Sequence, residues 1–149
     1  MSPLDREIIQ RKLSIIVENL KALEPIQRLQ PDEYIRDLYR RKATERLLQE
    51  MIEAAVDINT HLIVESGAAA PEDYYQSFIR AGEIGVLSPD LALKLAPSAG
   101  LRNRIIHEYN GIDHSIILKS VTMAEESYPA YVKEISEALS RSEESANQE

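Results

Sequence analysis

Apolar residues recur at alternating steps of four and three along three long stretches of this chain, and no comparable stretch alternates with a period of two. Steps of this size place apolar side chains on one face of an α-helix, whereas a half-buried strand needs strict alternation. The positions are Ile9, Leu13, Ile16, Leu20 and Leu23, then Leu48, Met51, Ala55, Ile58 and Leu62, then Ile117, Val121, Ala124, Tyr128, Tyr131, Ile135 and Leu139. The pattern predicts an all-α chain whose helices bury one face against each other.

The prolines, glycines and capping residues between these stretches predict an up-down bundle of four to five helices. Pro25 and Pro129 interrupt the apolar stripes, which argues against one long coiled coil. Helix starts are indicated at Pro31, Pro71 and Ser88–Pro89, helix ends at Gly67 and Asn110–Gly111, and a cap of the last helix at Asp113. No internal repeat or linker divides the chain, so we expect one domain over residues 1–149, with a frayed acidic tail over about 141–149.

The rest of the composition excludes several classes of protein. The 149 residues contain no cysteine, which rules out disulfides, thiolate zinc sites and cysteine nucleophiles. No apolar run reaches the length of a membrane span, and the first residues lack the layout of a secretory signal. We therefore expect a cytoplasmic protein without membrane contact. The net charge of −8 gives only a weak argument against nucleic acid as a partner.

The stretch "AGLRNRIIHEYNGID", residues 99–113, concentrates groups that bind phosphate and transfer protons. At about 100° per residue on a helix, Arg102 and Tyr109 lie nearly above one another, and Asn103 shares a neighbouring stripe with His107. Arg102 and His107 are about 140° apart, so one straight helix does not point both at one phosphate. Either the helix loosens near Gly111, or a twofold dimer of these helices surrounds one cleft with both residue types.

Such a cleft suits metal-free cleavage of RNA. An imidazole titrates near neutrality, so it can take a proton from a ribose 2′-hydroxyl or give one to the departing 5′-oxygen. A guanidinium stays cationic and offers paired donors to the charge that builds on the phosphate oxygens. The structural alternative is a solvated helix end, where arginine and histidine interact favourably with the helix dipole. Spacing alone leaves both interpretations open.

The segment "RNRIIHEY" matches the R-x4-H-x-Y signature of HEPN-superfamily proteins of the HepT type, with the arginine, histidine and tyrosine in the fixed places. The stretches "IEAAVDINTHLI", "PEDYYQSF" and "AGEIGVLSPDLALKLAPSAGLRNR" also resemble that family's layout. The resemblance covers roughly residues 40–140, and the first helix is the least diagnostic part.

The resemblance implies a HEPN-like helical fold that dimerises around the motif helix, and a metal-independent endoribonuclease without cofactors that acts as the toxin of a toxin–antitoxin pair. Its catalytic residues would be Arg102 and His107. Asn103 would orient or contact RNA, and Asp57 would be an accessory, since the family often has an acidic or amide group there facing the motif. The implied antitoxin is an MntA-type nucleotidyltransferase that AMPylates Tyr109. Transfer RNA is one candidate target. The alternative function is a non-catalytic helical subunit that binds nucleotide or docks the transferase.

Glu53, Asp57 and His61 repeat every four residues and therefore share one stripe of a helix. Three such side chains could be metal ligands, but di-iron bundles use Glu-x-x-His pairs, which this chain lacks. The stripe borders buried apolar positions. We expect it to make hydrogen bonds and predict no metal site.

A basic run precedes this stripe, and two interpretations of it remain open. It is either a solvated helix face with local ion pairs or a track for the RNA backbone. Its members are Arg36, Arg40, Arg41, Lys42 and Arg46, and Arg104 of the motif would extend the RNA contact. Tyrosines 34, 39, 74 and 75 could stack on bases, although Tyr74 and Tyr75 are expected to pack inside.

Overall fold

The computed structural model describes residues 1–108 and 110–148, and within those ranges it contains seven α-helices and no strand. The helices are α1 (Pro3–Gln27), α2 (Pro31–Arg36), α3 (Leu38–Glu65), α4 (Tyr74–Glu83), α5 (Pro89–Leu95), α6 (Ser98–His107) and α7 (His114–Gln148). The predicted all-α class is confirmed. The number exceeds four to five because α2 and α5 are separate short helices of 6 and 7 residues. Each is too short to show an apolar stripe of its own.

The core forms where α1, α3 and α7 bury the stripes predicted from the sequence. Every apolar position of the three predicted stripes is buried. The amino group of Met1 pairs with Glu65 at 2.8 Å, while Asn19 donates to the Leu47 carbonyl at 3.0 Å, so α1 and α3 run antiparallel. Arg6 donates to the Leu139 carbonyl at 2.8 Å, which sets α1 antiparallel to α7 as well. This is the up-down packing that the sequence predicts.

Two helices contain a proline beyond their first turn, and one helix starts later than the sequence predicts. Pro25 lies in the last turn of α1 and Pro129 lies inside α7, so neither proline ends its helix. A proline inside a helix costs about 3 kcal/mol, and at position 129 this cost is offset because Tyr128 and Tyr131 on either side are fully buried. Helix α4 starts at Tyr74 and not at Pro71, since the side chain of Asp73 caps it.

The two ends of α7 can also be compared with the prediction. Asp113 precedes its first residue and accepts hydrogen bonds from the Ser115 amide at 2.9 Å and the Ser115 hydroxyl at 2.7 Å, so the predicted cap is confirmed. At the other end, α7 continues through the acidic tail to Gln148. In the described part of the chain, no helix combines the length and the apolar character that crossing a bilayer requires.

Candidate active site

The arginine and the histidine of the motif both lie on α6, which is a regular helix. The Glu108 amide still donates to the Arg104 carbonyl at 2.8 Å, which is an α-helical bond beyond the last residue of α6. Leu101 and Ile105 are buried and fix the helix to the core. The angle of about 140° between positions 102 and 107 therefore applies to this helix. The helix ends at His107 and Glu108 already has non-helical backbone angles, so any loosening towards Gly111 lies beyond both residues and leaves this angle unchanged.

Arg102 is held against two neighbouring helices. Its Nε donates to Glu53 Oε1 of α3 at 3.3 Å, and its guanidinium carbon lies 4.7 Å from the ring centroid of Tyr74, the first residue of α4. Its Nη1 lies 3.5 Å from Asn103 Oδ1, a weak contact within α6. The Arg102 side chain is 25% exposed. Because Glu53 occupies the Nε side, the edge formed by Nη1 and Nη2 can bind two oxygens of a phosphate.

The acidic residue that meets the motif is Glu53, one helical turn before the predicted Asp57. Glu53 Oε1 also accepts from Gln49 Nε2 at 3.0 Å, so its position is fixed within α3 as well. The Asp57 carboxylate pairs instead with Lys12 of α1 at 2.9 Å and is 56% exposed. The sequence placed both acids on one stripe, but only the packing of α3 against α6 determines which is level with Arg102.

The stripe formed by Glu53, Asp57 and His61 is divided between different partners. Glu53 contacts α6 and Asp57 contacts α1, while His61 lies 3.0 Å from Asp5 at the start of α1. Over residues 1–108 and 110–148, no group of three histidine, aspartate or glutamate side chains is arranged to hold a metal ion. The hydroxyl of Ser2 and the imidazole of His61 lower the pKa of Asp5 to about 2, so its carboxylate stays charged and pairs these helices.

His107 lies at the carboxyl end of α6, where its imidazole is exposed. Asn103 and Arg104 on the same helix are exposed too. Among the described residues, no hydrogen bond or ion pair joins His107 to Arg102, whose contacts run to α3 and α4. Tyr109, the predicted acceptor of AMP, lies outside the described residues. The histidine is therefore presented to whatever approaches α6 from solution.

The basic run is only partly an exposed surface. Arg40 pairs with Asp37 at 3.5 Å, Lys42 with Glu45 at 3.9 Å, and Arg46 with Glu50 at 3.3 Å, and these three cations are more than half exposed. Arg36 makes a similar exposed pair with Asp32 at 3.1 Å. Arg41 differs, since its Nη1 lies 3.2 Å from His114 Nε2 and the side chain turns towards α7. Glu45 is buried, but the pairs of Arg36, Arg40 and Arg46 are exposed and contribute about 0–1 kcal/mol each, so a phosphate can replace their carboxylates at little cost.

The four candidate stacking tyrosines have different environments. Tyr34 is fully buried, and that burial raises its pKa to about 12. Tyr39 is 87% exposed beside the basic run and remains available to a base. The expectation that Tyr75 packs inside is wrong, since it is 46% exposed on the outer side of the first turn of α4. Tyr74 is half-buried because it packs against Arg102.

The antiparallel helices, with an arginine and a histidine five positions apart on one short helix, agree with the HEPN-like helical fold that the sequence resembles. Two solved structures share this fold. One is a tri-AMPylated HEPN toxin of Shewanella oneidensis in complex with MNT antitoxin, with a TM-score of 0.78 and 21% identity over 91% of this chain and 98% of that one. The other is the cytosolic protein of unknown function YutE of Bacillus subtilis, with a TM-score of 0.81 and 15% identity over 93% of this chain and 92% of that one.

The sequence comparisons define the family more closely. The profile of ribonuclease HepT-like proteins matches residues 16–135. The chain is also 35% identical over 144 residues to the tRNA nuclease HepT of Aphanizomenon flos-aquae, which covers 97% of this chain and 98% of that protein. The chain therefore belongs to the HepT-like ribonuclease family.

Proposed function

We propose that this protein is a metal-independent endoribonuclease that acts as the toxin of a toxin–antitoxin pair. The observation that carries the proposal is the setting of Arg102, whose Nε is bound by Glu53 and whose guanidinium lies against Tyr74 while the side chain keeps 25% of its surface exposed. Membership of a ribonuclease family and similarity to a tRNA nuclease support RNA as the substrate and transfer RNA as the first target to test.

The reaction needs one imidazole and one guanidinium at the scissile phosphate. His107 accepts the proton of a ribose 2′-hydroxyl, whose oxygen attacks the adjacent phosphorus as the bond to the 5′-oxygen breaks. Protonated imidazole returns a proton to the departing 5′-oxygen. Arg102 stabilises the negative charge on the non-bridging oxygens. The products are a 2′,3′-cyclic phosphate and a 5′-hydroxyl, and no redox partner or cofactor is consumed.

The two groups reach one phosphate most simply in a homodimer. Arg102 is bound on one side of α6 by α3 and α4, whereas His107 is exposed about 140° away on the same regular helix. A twofold contact between two α6 helices brings Arg102 of one subunit next to His107 of the partner subunit. Symmetry repeats the arrangement, so each dimer contains two such sites.

RNA binding outside the scissile phosphate would use exposed cations. Arg104 is exposed on α6, and Arg40, Lys42 and Arg46 are exposed on α3. Asn103 neighbours Arg102 and can donate to a phosphate or ribose oxygen. Arg41 contacts His114 instead, so we leave it out of the RNA surface.

An antitoxin of the nucleotidyltransferase type would inactivate the enzyme by transferring AMP to Tyr109. The flanking Glu108 and Asn110 are exposed, which makes this turn accessible to a partner enzyme. Nucleotide phosphates on the tyrosine would compete with RNA for the motif arginine and fill the entrance to the site. The AMPylated HEPN toxin of Shewanella oneidensis, seen with its MNT antitoxin, supports this form of control.

The test is an assay of purified protein with total RNA in EDTA, with the cut ends mapped. The wild-type protein is expected to leave 2′,3′-cyclic phosphates, and His107→Ala to lower the rate at least about 100-fold because proton transfer is lost. The control His61→Ala removes a histidine outside α6 and should cleave normally. Incubation with the transferase and ATP should silence the wild-type protein but not Tyr109→Phe. No cleavage, or cleavage that EDTA abolishes, would contradict the proposal and favour a non-catalytic docking subunit or a metal enzyme, respectively.

A further inference from the structure

The ring of Tyr74 lies against the guanidinium of Arg102, and neither the chemistry proposed above nor the motif accounts for this contact. The guanidinium carbon is 4.7 Å from the ring centroid, within the range in which a cation is attracted to an aromatic face. Glu53 binds the same guanidinium through Nε. The arginine is therefore fixed in two ways: a carboxylate sets the position of one edge, and an aromatic ring supports the plane.

A buried chain of hydrogen bonds fixes the backbone from which the Tyr74 side chain extends. The Tyr131 hydroxyl donates to Asn59 Oδ1 at 2.7 Å, and Asn59 Nδ2 donates to the Ser77 hydroxyl at 3.3 Å. The Ser77 hydroxyl in turn donates to the Tyr74 carbonyl at 2.7 Å. Tyr131, Asn59 and Ser77 have no exposed surface. The chain thus connects α7 and α3 to the first turn of α4.

A second set of contacts fixes the same turn from the solvent side. Asp73 caps α4 by accepting from the Gln76 amide at 2.7 Å. The first turn of α4 is therefore bonded on both its buried and its exposed sides. A ring attached to such a turn has little freedom to move away from the arginine.

We propose that Tyr74 is a positioning residue that holds the Arg102 guanidinium with its Nη1 and Nη2 edge directed at the scissile phosphate. The proposal rests on the proposed ribonuclease function. An arginine side chain loses considerable rotamer entropy when it is fixed. Because Tyr74 and Glu53 already fix it in the free protein, this entropy is lost before RNA binds. The benefit appears when charge builds on the phosphate oxygens, so it belongs to the chemical step and not to RNA binding.

The test compares Tyr74→Leu with Tyr74→Phe in the cleavage assay, with kcat and KM measured separately. Leucine fills the space without an aromatic face, and we expect kcat to fall roughly ten-fold with KM changed less than about three-fold. Phenylalanine keeps the face and should retain kcat within about two-fold. Unchanged kcat in Tyr74→Leu would overturn the proposal, as would an equal loss of kcat in Tyr74→Phe.

Two further measurements separate positioning from a defect in folding. In an Arg102→Ala background, Tyr74→Leu should lower kcat no further, whereas an additional ten-fold loss would show that the ring acts independently of the arginine. NMR of the Arg102 side chain should show ring-current shifts that Tyr74→Phe retains and Tyr74→Leu loses. Absence of these shifts in the wild-type protein would overturn the contact itself, whether or not RNA is cut. Shifts in a protein that cuts no RNA would overturn the ribonuclease function and, with it, the positioning role.

Discussion

At the scale of single residues, the orientation of the motif arginine depends on which carboxylate binds it. Glu53 binds Arg102, while Asp57 one turn later binds Lys12. Both acids are partly exposed, so each ion pair adds only about 0–1 kcal/mol to the free energy of unfolding. The role of Glu53 is therefore in orientation and not in stability. The two acids provide a matched pair for mutation.

Glu53→Gln should lower kcat about ten-fold, because a neutral amide holds the guanidinium less firmly than a carboxylate does. Asp57→Asn changes the same kind of charge on the same helix and should leave kcat within about two-fold of the wild-type value. Both variants should unfold within a few degrees of the wild type. A larger loss of kcat in Asp57→Asn than in Glu53→Gln would return the accessory role to Asp57.

The sequence could not choose between these two acids. Helical periodicity placed Glu53 and Asp57 on one face, but the choice depends on how far α3 is shifted along its axis against α6. That shift is set by side-chain packing between distant parts of the chain. Local sequence patterns carry no information about such packing. Tyr74 was missed as a partner of Arg102 for the same reason.

At the scale of elements, the long helices could be predicted and the boundaries only in part. The spacing of apolar residues reflects burial directly, so every apolar position predicted to face the core on α1, α3 and α7 is buried. A helix cap also depends only on nearby residues, which is why the cap predicted at Asp113 is confirmed. The predicted stripe of the last helix runs past Pro129 and α7 does too, because Tyr128 and Tyr131 on either side of that proline are buried in the core.

The junction between the start of α1 and α3 is expected to depend on acid pH. Asp5 accepts from Ser2 and lies beside His61, and these contacts lower its pKa from 3.8 to about 2. A carboxyl group whose pKa is lowered on folding stabilises the folded state above its unfolded pKa and loses that contribution as pH falls towards the folded value. The contribution of Asp5 is thus present at pH 5 and disappears between about pH 4 and pH 2.

The measurement is the urea midpoint of the wild type and Asp5→Asn at several pH values from 2 to 6. The wild type should be the more stable at pH 5, and the two should converge as pH approaches 2. A constant difference between the two proteins down to pH 2 would show that Asp5 does not titrate as the structure indicates.

At the scale of the whole molecule, the distribution of charge matters more than its total. A net charge of −8 repels RNA on average, while Arg40, Arg46 and Arg104 place exposed cations on the surface of α3 and α6. Carboxylates lie beside these cations, so the cations can neutralise few RNA phosphates. The affinity for RNA should therefore come largely from the site around Arg102 and His107. A site completed by a second copy of the chain would add a further cation without changing the composition.

A shared site requires that Arg102 of one subunit and His107 of the partner subunit act on one phosphate. Subunit exchange between Arg102→Ala and His107→Ala, each expected to cleave at least about 100-fold more slowly than the wild type when alone, tests this requirement. Half of the exchanged dimers would then contain one complete site, so the mixture should recover about a quarter of the wild-type rate. A mixture that stays inactive, although mass measurements show that mixed dimers have formed, would contradict a site shared between subunits.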